Sequence, residues 1–268
     1  MSARIFFLTL LTLVAFASNS ILCRLALADR AFDAATFTAI RLACGALLLA
    51  AVNVALQREK AAGSGGNWLS GALLFSYAAG FSFAYLQLSA GTGGLILFGT
   101  VQLTMIGWGI WKGERPSLIE WIGLILAQVG LVILVAPGLH APSPIGASLM
   151  AVAGISWGIY SLRGRHASDP GHATKVNFVW SVPFALMLLL CSGVAGFHTS
   201  LKGILLAVVS GAVTSAPAYM LWYLILPKLT ASRAAISQLA VPAIVAIAGV
   251  LFLNESISFR ILAASALM

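Results

Sequence analysis

Long apolar runs, separated by short polar segments, fill almost the whole of this chain. Nine of them predict helices, at about residues 5–27, 34–56, 67–87, 92–111, 117–136, 144–162, 174–194, 202–226 and 231–253. Crossing the ~30 Å hydrocarbon core of a bilayer takes about 20 apolar residues in a helix. The runs do not alternate between polar and apolar positions, as membrane-barrel strands do. The pattern therefore predicts an all-α membrane protein.

A tenth apolar run begins at Phe259 and reaches Met268, where the given chain stops. The run is too short to span, so we expect a tenth transmembrane helix that is incomplete in this chain. The first run resembles a signal peptide, with Arg4 before it and Ala-Phe-Ala at 15–17 in place of a cleavage site. Because the run continues through Leu27, we expect a retained first helix instead.

The composition agrees with a lipid environment. Of the 268 residues, 60% are hydrophobic and 8% are charged, whereas soluble domains carry about 25% charged residues. Cys23, Cys44 and Cys191 all lie in apolar runs without paired spacing, so we expect buried thiols rather than disulfides. We expect neither a metal nor a cofactor.

The basic residues indicate the orientation of the chain. The net charge is +8, but the basic residues stand singly at the ends of runs, which argues against a nucleic-acid surface. Ten Lys and Arg residues lie at the N-terminus and in the even-numbered loops, and four lie in the odd-numbered loops. By the positive-inside rule the N-terminus is cytoplasmic, and with ten helices the C-terminus is too.

Two similar segments suggest an internal repeat. Residues 113–117 (Gly-Glu-Arg-Pro-Ser) follow the fourth run, and residues 254–258 (Asn-Glu-Ser-Ile-Ser) follow the ninth. Overlaying Glu114 on Glu255 needs an offset of 141, and an offset of 139 overlays Arg24 on Arg163. Five helices per copy is an odd number, so the second copy is inverted in the membrane. This predicts a 5+5 inverted repeat, with units 1–137 and 144–268, of the kind found in secondary transporters.

These segments also resemble the ten-helix, EamA-type branch of the drug/metabolite transporter superfamily. The resemblance is carried by residues 16–20 with Arg24, by 36–41, by 113–115 with Trp121 and Gly123, and by Pro242 before Glu255. Val101 stands where the first repeat would have the proline that matches Pro242. The resemblance implies export of small metabolites, including amino acids, across the bacterial inner membrane. Within it, the aromatic amino-acid exporters look most similar.

The centre of the predicted membrane region carries almost no titratable group. All seven acids lie in loops or near helix ends: Asp29, Asp33, Glu59, Glu114, Glu120, Asp169 and Glu255. The four histidines, 140, 166, 172 and 198, also lie at or near loops. Proton-coupled pumps usually carry an ionisable residue at mid-depth. We therefore predict transport without a proton relay, by uniport or exchange.

Arg41 is the exception, because it lies about seven residues into the second run. In the interpretation that we favour, Arg41 is structural: its side chain extends to the membrane surface, or it pairs with Asp33 or Asp29. It can instead face the pathway and bind a substrate carboxylate.

Polar and aromatic residues concentrate in helices 1, 3, 4, 6, 8 and 9. Polar groups that face lipid are costly, so we predict that these residues line a central substrate site. The residues are Asn19, Ser20, Tyr77, Ser82, Tyr85, Gln102, Trp157, Tyr160, Ser161, Tyr219, Trp222, Tyr223 and Gln238. The alternatives are that the aromatic residues pack the bundle or form an interface belt, and that the serines serve close helix packing. Pro217 and Pro242 predict either static kinks or hinges.

The sequence therefore predicts a secondary transporter that exports small metabolites by alternating access. Amino acids with aromatic or apolar side chains suit an aromatic-walled cavity with few charges. Alternatives are a carrier of another metabolite or drug-like compound, a nucleotide-sugar carrier and a passive channel. An intramembrane enzyme would need a catalytic pair at depth, which the helices lack.

Overall fold

The computed structural model describes residues 3–27, 32–55, 66–136, 141–192, 200–256 and 258–267. Within these ranges the secondary structure is helical, without a strand. The α-helices are α1 Ala3–Leu27, α2 Ala34–Ala55, α3 Trp68–Ala84, α4 Ala90–Trp111, α5 Leu118–Val135, α6 Pro144–Gly164, α7 Pro170–Cys191, α8 Leu201–Val208, α9 Ala216–Ile225, α10 Ala231–Ser237, α11 Ala240–Leu253 and α12 Phe259–Leu267.

The predicted all-α membrane fold is confirmed. In the described part of the chain, eight helical stretches are long and apolar enough to cross a membrane. The apolar helix α3 is shorter, at 17 residues, and α12 has nine. Asp29, Glu59, residues 137–140 and 193–194 and Met268 lie outside the described residues.

One predicted boundary is wrong by four residues. Helix α7 begins at Pro170 rather than at 174, so the last part of the polar segment 165–172 is helical. Asp169 is the N-cap, and its Oδ1 accepts a hydrogen bond of 3.0 Å from the backbone N of His172. Proline suits the first helical position because it has no N–H to satisfy.

The eighth and ninth apolar runs form interrupted helices. In the eighth, α8 continues into a π-helical stretch, Val209–Ser215, and then into α9, with Pro217 in its first turn. In the ninth, α10 and α11 are separated at Gln238 and Leu239, just before Pro242. Proline cannot donate to the helix ladder, so both interruptions lie where a backbone bond is missing. π-Helical segments often occur at functional positions.

The helices pack around a centre formed by α1, α2, α3, α4, α6, α7 and the two interrupted runs. Helix α3 packs on α6 and α7, α2 on α7, and α4 on α6 and α11, while α5 packs on α12 at the periphery. Small residues permit close approach: a Cβ on Gly154 would lie 2.7 Å from the carbonyl oxygen of Leu97. The buried centre therefore collects the polar residues of the long helices.

Candidate functional site

Aromatic side chains from α1, α3, α6 and α9 meet in the centre of the bundle. The Trp157 ring lies 4.6 Å from Tyr219 and 4.9 Å from Tyr77, measured between centroids. Phe16 packs edge-on to Trp157 at 5.2 Å, and Tyr160 stacks on Trp157 at 5.5 Å. We call these residues, with the adjoining Trp222 and Tyr223, the aromatic cluster. Phe16 was absent from the predicted set.

The polar tips of the cluster bind to neighbouring helices. Trp222 Nε1 donates to Ser161 Oγ at 3.0 Å, and Tyr223 Oη donates to the carbonyl of Tyr160 at 3.1 Å. Spacings of three and four residues place these groups on facing stripes of α6 and α9. These hydrogen bonds hold α6 against α9.

Arg41 lies beside the cluster and is buried, with 1% of its surface exposed. Its Nε donates to Ser215 Oγ at 2.9 Å. Its Nη2 donates to Tyr219 Oη at 2.6 Å and to Tyr77 Oη at 3.4 Å. The guanidinium carbon lies 5.1 Å from the centre of the Phe81 ring.

The predicted pairing of Arg41 with Asp33 is not what the structure shows. Asp33 Oδ1 accepts a hydrogen bond of 2.7 Å from the backbone N of Thr36, at the start of α2. Arg41 lies two turns further along that helix and points to the π-helical stretch and α9. Among the described residues, its hydrogen-bond partners are all neutral hydroxyls.

Asn19 ties α1 to the π-helical stretch. Its Oδ1 accepts from Thr214 Oγ1 at 2.6 Å, from Ser210 Oγ at 2.9 Å and from Ser215 Oγ at 3.2 Å. Because Ser215 also accepts from Arg41, the network joins α1, α2 and the eighth run. Ser210, Thr214 and Ser215 were not predicted site residues, although hydroxyls in an apolar run were a usable signal.

Gln238 lies at the interruption of the ninth run and reaches the aromatic cluster. Its Oε1 accepts from Trp157 Nε1 at 2.8 Å, and its Nε2 donates to the carbonyl of Ala234 at 3.1 Å. The helix break thus places a polar side chain at the edge of the cluster. Among the described residues, the buried amide of Gln102 has no hydrogen-bond partner for either atom.

Ser82 and Tyr85 lie along α3, away from the centre of the cluster. Ser82 Oγ donates to the carbonyl of Ala78 at 2.8 Å and lies 2.9 Å from Thr38 Oγ1. The Tyr85 ring packs edge-on to Phe81 at 4.7 Å, and its hydroxyl donates to the carbonyl of Ala90 at 3.4 Å. Both side chains make contacts that hold helices together.

Helix α7 contributes two residues that sequence reasoning missed. The Phe178 ring lies 5.8 Å from Tyr219, and Asn177 Nδ2 donates to Tyr223 Oη at 3.3 Å. Asn177 is a polar residue in the middle of an apolar run, which was the available signal.

Several buried polar atoms in and around the cluster have no hydrogen-bond partner among the described residues. They are Ser20 Oγ, both amide atoms of Gln102, Tyr160 Oη and Arg41 Nη1. Further unpaired side-chain atoms lie outside the cluster. Those of Asp33, Thr36, His172 and Ser232 are at or near the N-termini of helices, and that of Ser265 is in α12. An unpaired buried polar group costs about 1–3 kcal/mol, so each of these atoms lowers stability unless a polar partner approaches it. Four of the predicted site residues carry them.

Two ion pairs lie at opposite ends of α4. At its start, Glu255 accepts from the backbone N of Ala90 at 2.8 Å and from Arg24 Nε at 3.1 Å. At its end, Glu114 accepts from the backbone N of Ala231 at 3.0 Å and from Arg165 Nη1 at 3.2 Å.

The hydrogen bonds outweigh burial at Glu114. Burial alone raises the pKa of this carboxyl, but the donors from Ala231, Ser232 and Arg165 bring the pKa below its ordinary value of 4.5.

Arg24 and Arg163, which the sequence overlay relates, make different contacts. Arg163 donates to Ser70 Oγ at 2.8 Å and to Asn67 Oδ1 at 3.1 Å. Arg165, like Arg24, pairs with a glutamate.

Comparisons with known proteins agree with this architecture. A model of the EamA-like transporter family matches residues 144–268. An uncharacterized protein of Pseudomonas aeruginosa is 45% identical over 262 residues, covering 96% of this chain and 89% of that protein. A protein of Archaeoglobus fulgidus named an uncharacterized transporter is 28% identical, over 76% of this chain and 74% of its own length. A crystal structure superposes with a TM-score of 0.68 over 96% of this chain and 94% of that chain, at 20% identity, which shows a shared fold. Residues 144–268 therefore match the EamA-like transporter family, and this match together with the relative named a transporter supports a multi-pass membrane transporter of small molecules.

Proposed function

We propose that this protein is a secondary transporter that exports small metabolites, with amino acids bearing aromatic or apolar side chains as its leading substrates. One observation carries the proposal: Arg41, with Nη1 unpaired, lies against the aromatic cluster. A guanidinium binds a carboxylate, and aromatic faces accept an apolar body. The substrate would enter between the rings of α3, α6 and α9.

The proposed 5+5 inverted repeat, with units 1–137 and 144–268, is supported by one offset. Adding 141 to the residue number relates Ala90 to Ala231 and Glu114 to Glu255. The backbone N of Ala90 donates to Glu255, and the backbone N of Ala231 donates to Glu114, so both hydrogen bonds join one unit to the other. The same offset relates Gly113 (φ 89°) to Asn254 (φ 52°), the two residues with positive φ in the described part of the chain. Like local geometry at a constant spacing is expected of duplicated units.

The proposed topology follows from the charge distribution. We place both termini in the cytoplasm and the protein in the bacterial inner membrane, since ten of the counted Lys and Arg residues lie on one side.

We propose alternating access without a proton relay. The described carboxylates lie at helix ends, in the ion pairs of Glu114 and Glu255 or at helix N-caps such as Asp33. Pro217 and Pro242, each beside an interruption of its helix, are the proposed hinges. The missing backbone bonds make bending at these points inexpensive.

A different small metabolite or drug-like compound is the main alternative substrate. A nucleotide sugar would need several basic groups, whereas Arg41 is the one buried guanidinium among the fully buried large side chains of the described residues. An intramembrane enzyme is disfavoured by the match of residues 144–268 to a transporter family.

The test is uptake by counterflow in proteoliposomes, with a panel of labelled amino acids. We expect phenylalanine, tyrosine and tryptophan to exchange faster than alanine or threonine, with saturation that distinguishes a carrier from a channel. Trp157→Ala and Tyr219→Ala should lose this preference, because both rings belong to the cluster. Trp121→Ala, whose ring on the peripheral α5 is 41% exposed, is the matched control. Equal rates across the panel would refute the aromatic specificity.

A further inference from the structure

Within the described part of the chain, no acidic side chain pairs with Arg41 at the central site. Arg41 is 1% exposed, and its hydrogen-bond and ring partners among the described residues are the neutral side chains of Ser215, Tyr219, Tyr77 and Phe81. An isolated charge in a low-dielectric interior is costly unless an opposite charge approaches it. The glutamates with described ion pairs are bound at the two ends of α4.

The free donors of Arg41 point to one mode of binding. A guanidinium has five N–H donors. Nε uses one on Ser215, and Nη2 directs two at Tyr219 and Tyr77, which leaves both hydrogens of Nη1 unpaired. These two hydrogens are the donors that a substrate carboxylate would meet once the packed helices part to admit it, with its apolar body against the aromatic cluster.

The charge balance then separates two kinds of substrate. A zwitterionic amino acid brings an ammonium as well as a carboxylate, and the described cluster offers that ammonium ring faces and hydroxyls but no carboxylate. A monocarboxylate without the ammonium neutralises Arg41 and leaves no second charge to desolvate.

Resting on the proposed transport function but replacing amino acids as its leading substrates, we infer that the site binds net-anionic aromatic or apolar monocarboxylates in preference to the matching zwitterions. Arg41 is the anion-binding residue. The selectivity comes from one guanidinium and from the absence of a carboxylate among its described partners.

The test uses three ligands that share a phenyl group and differ in charge. They are 3-phenylpropionate as the anion, phenylalanine as the zwitterion and phenethylamine as the cation. With the purified full chain, we expect 3-phenylpropionate to raise the melting temperature more than phenylalanine or phenethylamine does. In proteoliposomes, 3-phenylpropionate should inhibit counterflow of a labelled substrate at least tenfold more strongly than unlabelled phenylalanine does. Equal or tighter binding of phenylalanine overturns the inference and leaves the proposed amino-acid transport standing. Failure of all three to exchange or to bind would instead overturn the proposed function.

Arg41→Gln and Arg41→Lys test the role of the residue. Arg41→Lys keeps the charge and should keep the preference for the anion, whereas Arg41→Gln should bind the anion and the zwitterion within about twofold of each other. The ratio of the two affinities is measured, so a general loss of stability in either variant does not obscure the result. An unchanged ratio in Arg41→Gln overturns the assignment of the residue.

A second inference rests on the two ion pairs. The Glu255 latch comprises Glu255, Arg24, Ala90 and the carbonyl of Tyr85, which accepts from Arg24 Nη1 at 3.0 Å. It ties the ends of α1, α3 and α11 to the start of α4. The Glu114 latch comprises Glu114, Arg165, Ala231 and Ser232, and ties the end of α6 and the start of α10 to the end of α4.

The two latches lie at opposite ends of helix α4. This helix runs from Ala90 to Trp111, and its 22 residues cover about 33 Å, the thickness of the hydrocarbon core. Both latches are formed in this structure, so the helix ends that they join are held together at both ends of α4. Alternating access requires the two ends to open at different times.

We propose that the two latches are the two gates, and that opening either end breaks the corresponding ion pair and its helix-end hydrogen bonds. The glutamate is the centre of each latch because it binds an arginine and a helix N-terminus together.

The test measures the accessibility of Ser20→Cys, in a background with serine at Cys23, Cys44 and Cys191, to an impermeant maleimide. Ser20 is buried beside the network of Asn19. We expect Glu255→Gln to raise labelling severalfold from the face of Arg24, and Glu114→Gln to raise it from the opposite face. Glu120→Gln is the matched control, because this half-buried acid caps the start of α5, near Glu114 in the chain, and belongs to neither latch. Unchanged labelling in both latch variants, or the same face opened by both, overturns the proposal.

Discussion

Replacing Gly211 by alanine should separate the two helices that hold Arg41. An added Cβ would lie closest to the carbonyl oxygen of Arg41, and 2.9 Å from its carbonyl carbon and 3.0 Å from its Cα. Carbon atoms in ordinary contact are about 3.5–4.0 Å apart. Because the atoms of Arg41 in this contact are backbone, no side-chain rotation relieves it. The π-helical stretch and α2 must therefore move apart by about 1 Å to restore ordinary contact distances.

The displacement acts on the site as well as on the packing. Ser215 lies four residues after Gly211, and Arg41 binds both Ser215 and Tyr219, at 2.9 and 2.6 Å. A shift of this size lengthens at least one of these bonds beyond good hydrogen-bond geometry. Overpacking of a tight contact typically costs about 1–3 kcal/mol, and a chain of this size loses about 2–4 °C of Tm per kcal/mol.

The assay is thermal unfolding in detergent together with counterflow in proteoliposomes. We expect Gly211→Ala to lower the Tm by about 2–12 °C, the product of the overpacking cost and that dependence, and to reduce counterflow. The matched control is Gly107→Ala, because Gly107 is exposed on α4 and a Cβ there meets nothing within 4 Å. That variant should be as stable as the original chain or slightly more so, since alanine is the better helix former. The reasoning is refuted if both variants have the same Tm and the same counterflow.

Three further predictions concern stability. Asn254→Ala should lower the free energy of unfolding by about 1 kcal/mol, because Asn254 has φ 52°, and Asn254→Gly should not, as chemical denaturation would show. The lowered pKa of Glu114 stabilises the fold above its ordinary pKa of 4.5, and this stabilisation is lost as the pH falls through the lowered value. Glu114→Gln should therefore show a smaller loss of Tm on acidification than the original chain, and an identical acid profile would contradict the ion-pair geometry. Trp157→Phe should cost about 1–3 kcal/mol by leaving Gln238 Oε1 unpaired, and adding Gln238→Leu should recover part of it. Additive losses in that double-mutant cycle would show that the 2.8 Å bond is not energetically coupled.

The positions of the helices were largely predictable from the sequence, because transfer into lipid depends on the apolarity of a local stretch. The start of α7 was placed four residues late, since a first turn containing Pro170 and His172 is polar although helical. The interruptions of the eighth and ninth runs were indicated by Pro217 and Pro242, but a π-helical stretch has no signature that hydropathy can show.

The candidate site was predictable as a set of residues and not as a geometry. Tyr219, Trp222 and Trp157 were selected because polar and aromatic groups inside apolar helices must face one another, and they do. The partners of Arg41 were mistaken because Asp33 is near it in sequence, whereas Ser215 and Tyr219 are 174 and 178 residues away.

By itself, the sequence determined that this chain folds into apolar helices in a membrane, and which residues are too polar or too aromatic to face lipid. These properties belong to single residues and to short stretches, so they can be read without coordinates. The tertiary structure decided which of those residues meet. It joined Arg41 to the eighth run, paired Arg165 rather than Arg163 with Glu114, and brought α7 to the aromatic cluster. Contacts between distant helices depend on crossing angles and rotations, which close packing of the whole bundle sets.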